Sequence, residues 1–299
     1  MIFTPPRTLG LAVGFGGLAL LLGFDALIVA FLPVIPPSPL IFLGVCLILL
    51  TFPLIGWIGY RCYGLIRSRY VLSQNALVVE WGGRREVIPT ASLVEVRLGA
   101  ELGEDLRPPL SWPGCVVGQR QLAAWGRVEF LAATDRAGQV AVKYDQGWLV
   151  LSPSDAQAFV SVFEQFHAQG PETAIEPESI QPDFWRWSLW QDRWALLLIG
   201  VGGLSALVLL GYLSVIVAAL PPEMVLHFNA QGEPDRIGAP TGLFILPAIA
   251  GLAWLINTGA GAWLYRRAPE QNGAYLLFSA TMFVQALVWT ATVGILTAG

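Results

Sequence analysis

Five long apolar runs constrain this chain more than any other feature: Leu9 to Leu32, Leu40 to Tyr60, Trp194 to Leu220, Leu243 to Tyr265 and Ala274 to Leu296. A hydrocarbon core about 30 Å thick needs about 20 mainly apolar residues to cross it as a helix, and each run reaches that length. Backbone amides and carbonyls find no water inside a bilayer, so runs of this kind satisfy their polar groups internally, as helices. Composition agrees, with 55% of the 299 residues hydrophobic and only 13% charged, against about 25% charged in ordinary soluble domains. The first run is too long for the core of a signal peptide and no small-x-small site follows it, so it is expected to remain as a span. The chain reads as an α-helical integral membrane protein with about five transmembrane helices, two before and three after a more polar stretch from Arg61 to Trp190.

Arginine placement sets the expected orientation. Arg61, Arg67 and Arg69 follow the second run, Arg186 and Arg193 precede the third, and Arg266 and Arg267 join the fourth to the fifth, whereas the opposite loops carry Arg236 alone. Basic flanks stay cytoplasmic. The N-terminus and the polar stretch are therefore expected inside a bacterial inner membrane and the C-terminus outside. Trp185, Trp187, Trp190 and Trp194 crowd the entrance to the third run, and the last three fall on one helical face, as in an interfacial helix with an aromatic belt. A net charge of −4 with Lys143 as the single lysine makes nucleic acid an unexpected partner. Cys46, Cys62 and Cys115 are scattered, with no C-x-x-C spacing and no histidine nearby, so neither a disulfide framework nor a metal or cofactor is expected.

From Tyr70 the pattern changes to short alternating segments: Tyr70 to Leu72, Ala76 to Trp81, Glu86 to Ile88, Ser92 to Leu98, Val128 to Ala133, Val140 to Tyr144 and Trp148 to Leu151. Period-two alternation bounded by Gln74-Asn75, Gly82-Gly83, Arg136 to Gly138 and Gln146-Gly147 predicts strands joined by turns. Ser152, Pro153 and Asp155 then read as a capping arrangement with Ser152 as the cap. The helix that follows carries one apolar stripe, Phe159, Val162, Phe163 and Phe166, and stops at Gly170. About seven strands and a helix that must bury its stripe describe a small β-barrel closed at one end.

Three stretches, "RYVLSQNALVVEWGGRREVIPTASLVEV", "SWPGCVVGQ" and "LVLSPSDAQAFVSVFEQF", carry this order, and with them residues 68 to 167 resemble the bacterial pleckstrin-homology-like (PH-like) domains. The resemblance implies a barrel that binds peptides, lipids or other subunits, and it implies no enzyme. Phosphoinositide-binding relatives use a basic pocket; here Arg84 and Arg85 are the only adjacent basic pair, and Glu101, Glu104 and Asp105 add acid. Recognition of anionic lipid wants several basic groups together, each worth on the order of 1 kcal/mol. Arg84 and Arg85 are therefore read as a solvated hairpin tip. The organisation expected is 1–66 as two spans, 67–170 as the cytoplasmic PH-like domain, 171–186 as an acidic linker, and 187–299 as three spans.

Between the third and fourth runs lies "LPPEMVLHFNAQGEPDRIG". Leu220-Pro221, His227-Phe228-Asn229, Gly232 and Pro234-Asp235-Arg236 resemble the signature of a membrane domain of unknown function that also forms the N-terminal part of SdpI-type immunity proteins. The SdpI-specific second half is not matched, so no immunity activity is carried over. Glycine at 232 and aspartate at 235 are turn chemistry, consistent with a rigid cap over the helix ends. The alternative is an external recognition surface formed by His227, Asn229, Asp235 and Arg236.

Three polar residues lie inside the runs: Asp25, Asn257 and Gln285. An intramembrane aspartate points by default to function, but at 1.5 Å per residue the three do not share a level. Asp25 is expected to be satisfied by Arg236, by hydroxyls or by water. Gly10, Gly14 and Gly17 make a small-residue face that packs within the chain or between two copies of it. H-E-x-x-H, G-x-S-x-G and Walker signatures are absent. The leading expectation is a non-catalytic scaffold or sensor in the bilayer whose PH-like domain binds a protein or peptide partner; the alternative is a small transporter or permease-like subunit that uses Asp25.

Overall fold

The computed structural model describes the chain except residues 100–106, 123–124, 182–186, 230, 268–270 and 299, and the side chain of residue 298. Glu101, Glu104, Asp105, Trp185 and Arg186 fall outside the described residues. Five helices have the length and apolarity of membrane spans: Thr8–Phe31, Pro39–Ile66, Arg193–Ala219, Pro240–Tyr265 and Gln271–Thr297. The chain divides into two compact units, Met1–Phe24 with Leu50–Pro182, and Asp25–Leu49 with Asp183–Gly299.

The first unit holds parts of α1 (Thr8–Phe31) and α2 (Pro39–Ile66) and a β domain. One sheet comprises β1 (Ile2–Phe3), β2 (Arg69–Leu72), β3 (Ala76–Trp81), β4 (Arg84–Pro89) and β10 (Glu178–Ile180), paired in the order β1-β2-β3-β4-β10. The second comprises β5 (Leu93–Leu98), β6 (Val116–Leu122), β7 (Gly126–Ala132), β8 (Val140–Tyr144) and β9 (Gly147–Leu151), in the order β5-β8-β9-β7-β6, with β7 and β9 parallel. The expected closed barrel is therefore corrected to two facing sheets. Pro89 ends β4 without an N–H to donate, a 3-10 turn over Thr90–Ser92 carries the chain to the second sheet, and the free edge of β4 is already taken by β10.

The core between the sheets contains Tyr70, Leu72, Leu77, Val79, Val142, Leu149 and Leu151, closed by Phe159, Val162 and Phe163 of α3 (Ala156–Gln169). The predicted apolar stripe is thus the buried face of the helix, and each fully buried phenylalanine contributes on the order of 1.5–3 kcal/mol. The helix cap differs from expectation: Asp155 Oδ1 accepts from Ala158 N, whereas Ser152 is buried and its hydroxyl accepts from Ala133 N. Ser152 was drawn out of capping by a neighbouring strand that needed an acceptor.

Three strands of this unit lie outside the expected set. β6 has three successive exposed polar residues, which blur its alternation. β1 comes from the extreme N-terminus: Ile2 pairs with Val71 and Phe3 with Tyr70, and Phe3 packs edge-on against Phe159 at 5.1 Å. β10 comes from the stretch read as a linker, which is laid along the domain instead: Asn75 Oδ1 accepts from Glu172 N and Thr173 N before the chain pairs with β4.

The loop before β6 packs on the helices of the same unit. Trp112 Nε1 donates to the carbonyl of Gly10 at 3.1 Å, Arg61 donates to the carbonyl of Val117 at 2.7 Å, and a side chain at Gly10 would collide with the backbone of Gly114. Gly14 likewise faces Cys62, and Gly17 has Ile58 nearby, so the small-residue face of α1 is used within the chain.

In the second unit α4 (Arg193–Ile216), α5 (Ile245–Tyr265) and α6 (Gln271–Ala298) pack together. Trp254 of α5 lies against Gly202 and Gly203 of α4 and donates its indole N–H to the carbonyl of Ile199 at 2.8 Å. The connection between α4 and α5 forms a hairpin, β11 (Met224–Phe228) with β12 (Pro234–Gly238). Met224, Leu226 and Phe228 root it in the helix core. Among the described residues, the stretch expected as an interfacial helix holds a 3-10 turn over Ser188–Gln191, with Trp187 before it under Arg266 and Trp194 after it beside Arg193.

Candidate binding sites

In the first unit β4 is the strand on which charged groups converge. Trp81 stands opposite Arg84 across the β3–β4 turn, and alternation sends Arg84 and Arg85 to opposite faces. The expectation of a solvated tip is corrected for Arg84: it bonds Glu129 through both guanidinium NH groups and pairs with Glu86, with side-chain exposures of 16% for Arg84 and 6% for Glu129. Burial works against the charge on Glu129, but Arg84 and the amide of Gln119 hold its carboxyl below the ordinary range. Burial opposes the charge on Arg84 too, yet its two carboxylate partners keep it firmly protonated. Arg85 fits expectation better, half-exposed and 3.7 Å from both Glu80 and Glu178.

Beside this edge lies a polar pocket of about 400 Å³, walled by Glu86, Glu129, Arg127 and Tyr144 and closed by Glu178 and Ser179 of β10. Glu178 stands opposite Val87, Ser179 opposite Glu86 and Ile180 opposite Arg85, and all three β10 residues are exposed. The strand is held by backbone pairing and little side-chain burial.

In the second unit the hairpin explains its own signature residues. Asn229 Oδ1 accepts from Gln231 N and Glu233 N, and Gly232 takes a φ of 81°, the left-handed region where a side chain is penalised. His227 Nδ1 lies 2.6 Å from Asp235 Oδ1. Asn229 is thus turn-forming, while His227, Asp235 and Arg236 come together on the hairpin surface, His227 opposite Arg236 in register. Asp25 on α1 is not without a partner.

The remaining intramembrane groups are not brought together. Gln285 is buried and donates to the carbonyl of Ala250 at 3.0 Å, a helix-to-helix bond from α6 to α5, while its Oε1 has no partner among the described residues. Asn257 is half-buried on α5.

Sequence reasoning missed Asp192. Its Oδ1 accepts from Trp194 N and Ala195 N at the start of α4, and its Oδ2 accepts the hydroxyls of Tyr265 at 2.6 Å and Tyr275 at 2.5 Å. Those hydroxyls, with the backbone amides, hold the carboxyl down to about 2. An aspartate directly before an apolar run is an N-cap signal, and that part was readable; the two tyrosines are not near it in sequence. Among the described residues no group of His, Cys, Asp and Glu is arranged to hold a metal ion.

Comparison with known families places two matches on this framework. Residues 68–166 match the family model of the bacterial PH domain, and residues 204–251 match a domain of unknown function, DUF1648. The first covers β2 to most of α3 and leaves out β1 and β10; the second runs from α4 through the hairpin into α5. No curated protein and no solved structure gave a match.

Proposed function

We propose that this membrane protein is a non-catalytic scaffold or sensor whose PH-like domain engages a protein or peptide partner in extended conformation along the edge of β4. The observation that carries the reading is that both edges of the first sheet take strands from outside the matched domain, β1 against β2 and β10 against β4. Strand addition draws its affinity from main-chain hydrogen bonds and its selectivity from neighbouring side-chain pockets, and the 400 Å³ pocket beside β4 supplies such a neighbour. Three exposed residues, held by backbone pairing and an ion pair at 3.7 Å, make a resident strand that a longer one can replace. The same chemistry argues against anionic lipid as the domain's ligand, since Arg84 is already neutralised by Glu129 and Glu86. Arginine placement supports a cytoplasmic position for this domain and an external C-terminus in a bacterial inner membrane.

The test is a photo-cross-linking residue placed at Arg85 in the intact protein in its native membrane. A discrete adduct with a second polypeptide is the expected result; adducts confined to this chain or to lipid would overturn the reading.

A further inference from the structure

The hairpin and the helix ends beneath it enclose a groove of about 920 Å³, within the range of small-molecule sites. Its two ends differ in chemistry. His227, Asp235 and Arg236 line the end on the hairpin, and Ile245, Ile249 and Ile295 line the other. The apolar residues belong to the beginning of one apolar helix, Pro240–Tyr265, and the end of another, Gln271–Thr297, whereas the polar residues lie on the hairpin beyond those helix ends, an order that matches the passage from hydrocarbon to headgroup. Two features leave the groove open to an occupant. Ile245 is 60% exposed, and nothing lies within 4 Å of where a side chain at Gly294 would project. Asp235 is hydrogen-bonded to His227, and the exposed Arg236 guanidinium has no hydrogen bond or ion pair to another described residue.

From this arrangement we propose that the groove binds a membrane phospholipid, its phosphodiester on the Arg236 guanidinium beside His227 and one acyl chain along Ile245, Ile249 and Ile295. Guanidinium presents a planar fork that matches two phosphate oxygens, which a headgroup supplies and a neutral lipid does not. Apolar burial holds the chain, at about 0.8 kcal/mol per buried methylene. The depth is what selects an amphiphile, because the cation and the apolar wall sit on either side of the level where headgroup meets tail. This site is separate from the β4 edge and does not depend on the partner proposed for it.

The test uses the purified, delipidated intact protein in detergent with three probes: lysophosphatidylglycerol, a monoacylglycerol of the same chain length, and inorganic phosphate alone. Saturable binding of the lysophospholipid is expected, at least tenfold tighter than either other probe. Arg236→Gln and Gly294→Leu should each weaken it at least tenfold, the first by removing the fork and the second by filling the groove; Arg236 is exposed and nothing lies within 4 Å of where a side chain at 294 would start, so the fold is kept. Equal affinity for the phosphate-free amphiphile, a match by inorganic phosphate, or unchanged binding in either variant would overturn the proposal.

Discussion

Arg84 of one sheet holds Glu129 of the other through two hydrogen bonds, and both groups are largely removed from water. This pair ties the two sheets together next to the edge that β10 covers. Removing one partner of a buried pair leaves the other charge uncompensated, at about 3–5 kcal/mol. Arg84→Met and Glu129→Gln should each lower the melting temperature of the intact protein in detergent, and the double variant should lose less than their sum.

The pH dependence follows from Glu129. Its folded carboxyl lies below its ordinary value of 4.5 because of Arg84. A carboxylate with a depressed folded value contributes stability that is present above the unfolded value and lost as pH falls through the folded one. Unfolding midpoints measured from pH 6 downward should therefore decline below about pH 4.5, and the decline should be shallower in Glu129→Gln.

Asp192 gathers the amides that open α4 and the hydroxyls of Tyr265 and Tyr275. Asp192→Ala should destabilise the protein by about 1–3 kcal/mol, as expected for a lost cap combined with two stranded hydroxyls. Tyr265→Phe and Tyr275→Phe should each cost less, since the other hydroxyl and both amides remain. Differential scanning fluorimetry in detergent would rank the three.

The orientation expected from arginine placement is checked by cysteine labelling in a background lacking Cys46, Cys62 and Cys115. Asn229 shapes the hairpin turn, so the probe belongs on its exposed neighbour Gln231. A cysteine there should label from outside intact cells and one at Gln146 should not; the reverse pattern would invert the topology.

The spans and the α3 stripe were legible because each rests on periodicity over many residues, where single substitutions cannot hide the pattern. β1 and β10 were not, since two or three residues carry no period and both gain their structure from a partner strand remote in sequence. β6 was masked by its own exposed face. The hairpin residues His227, Asp235 and Arg236 stood out as a motif and lie together on the hairpin, but the groove beneath them is made by helix ends, and the spacing of a motif says nothing of what lies under it. Arg84 failed for a related reason: a basic pair at a turn looks solvated until the second sheet supplies Glu129.

The account rests most heavily on β10 being a removable occupant of the β4 edge. Arg85 and Ile180 stand opposite each other and are both exposed, so Arg85→Cys with Ile180→Cys can lock the strand in place by a disulfide. The intact variant, captured from its native membrane in mild detergent, should retain its polypeptide partner only when the disulfide is reduced. Equal recovery of the same partner from the locked and the reduced protein would contradict the central claim.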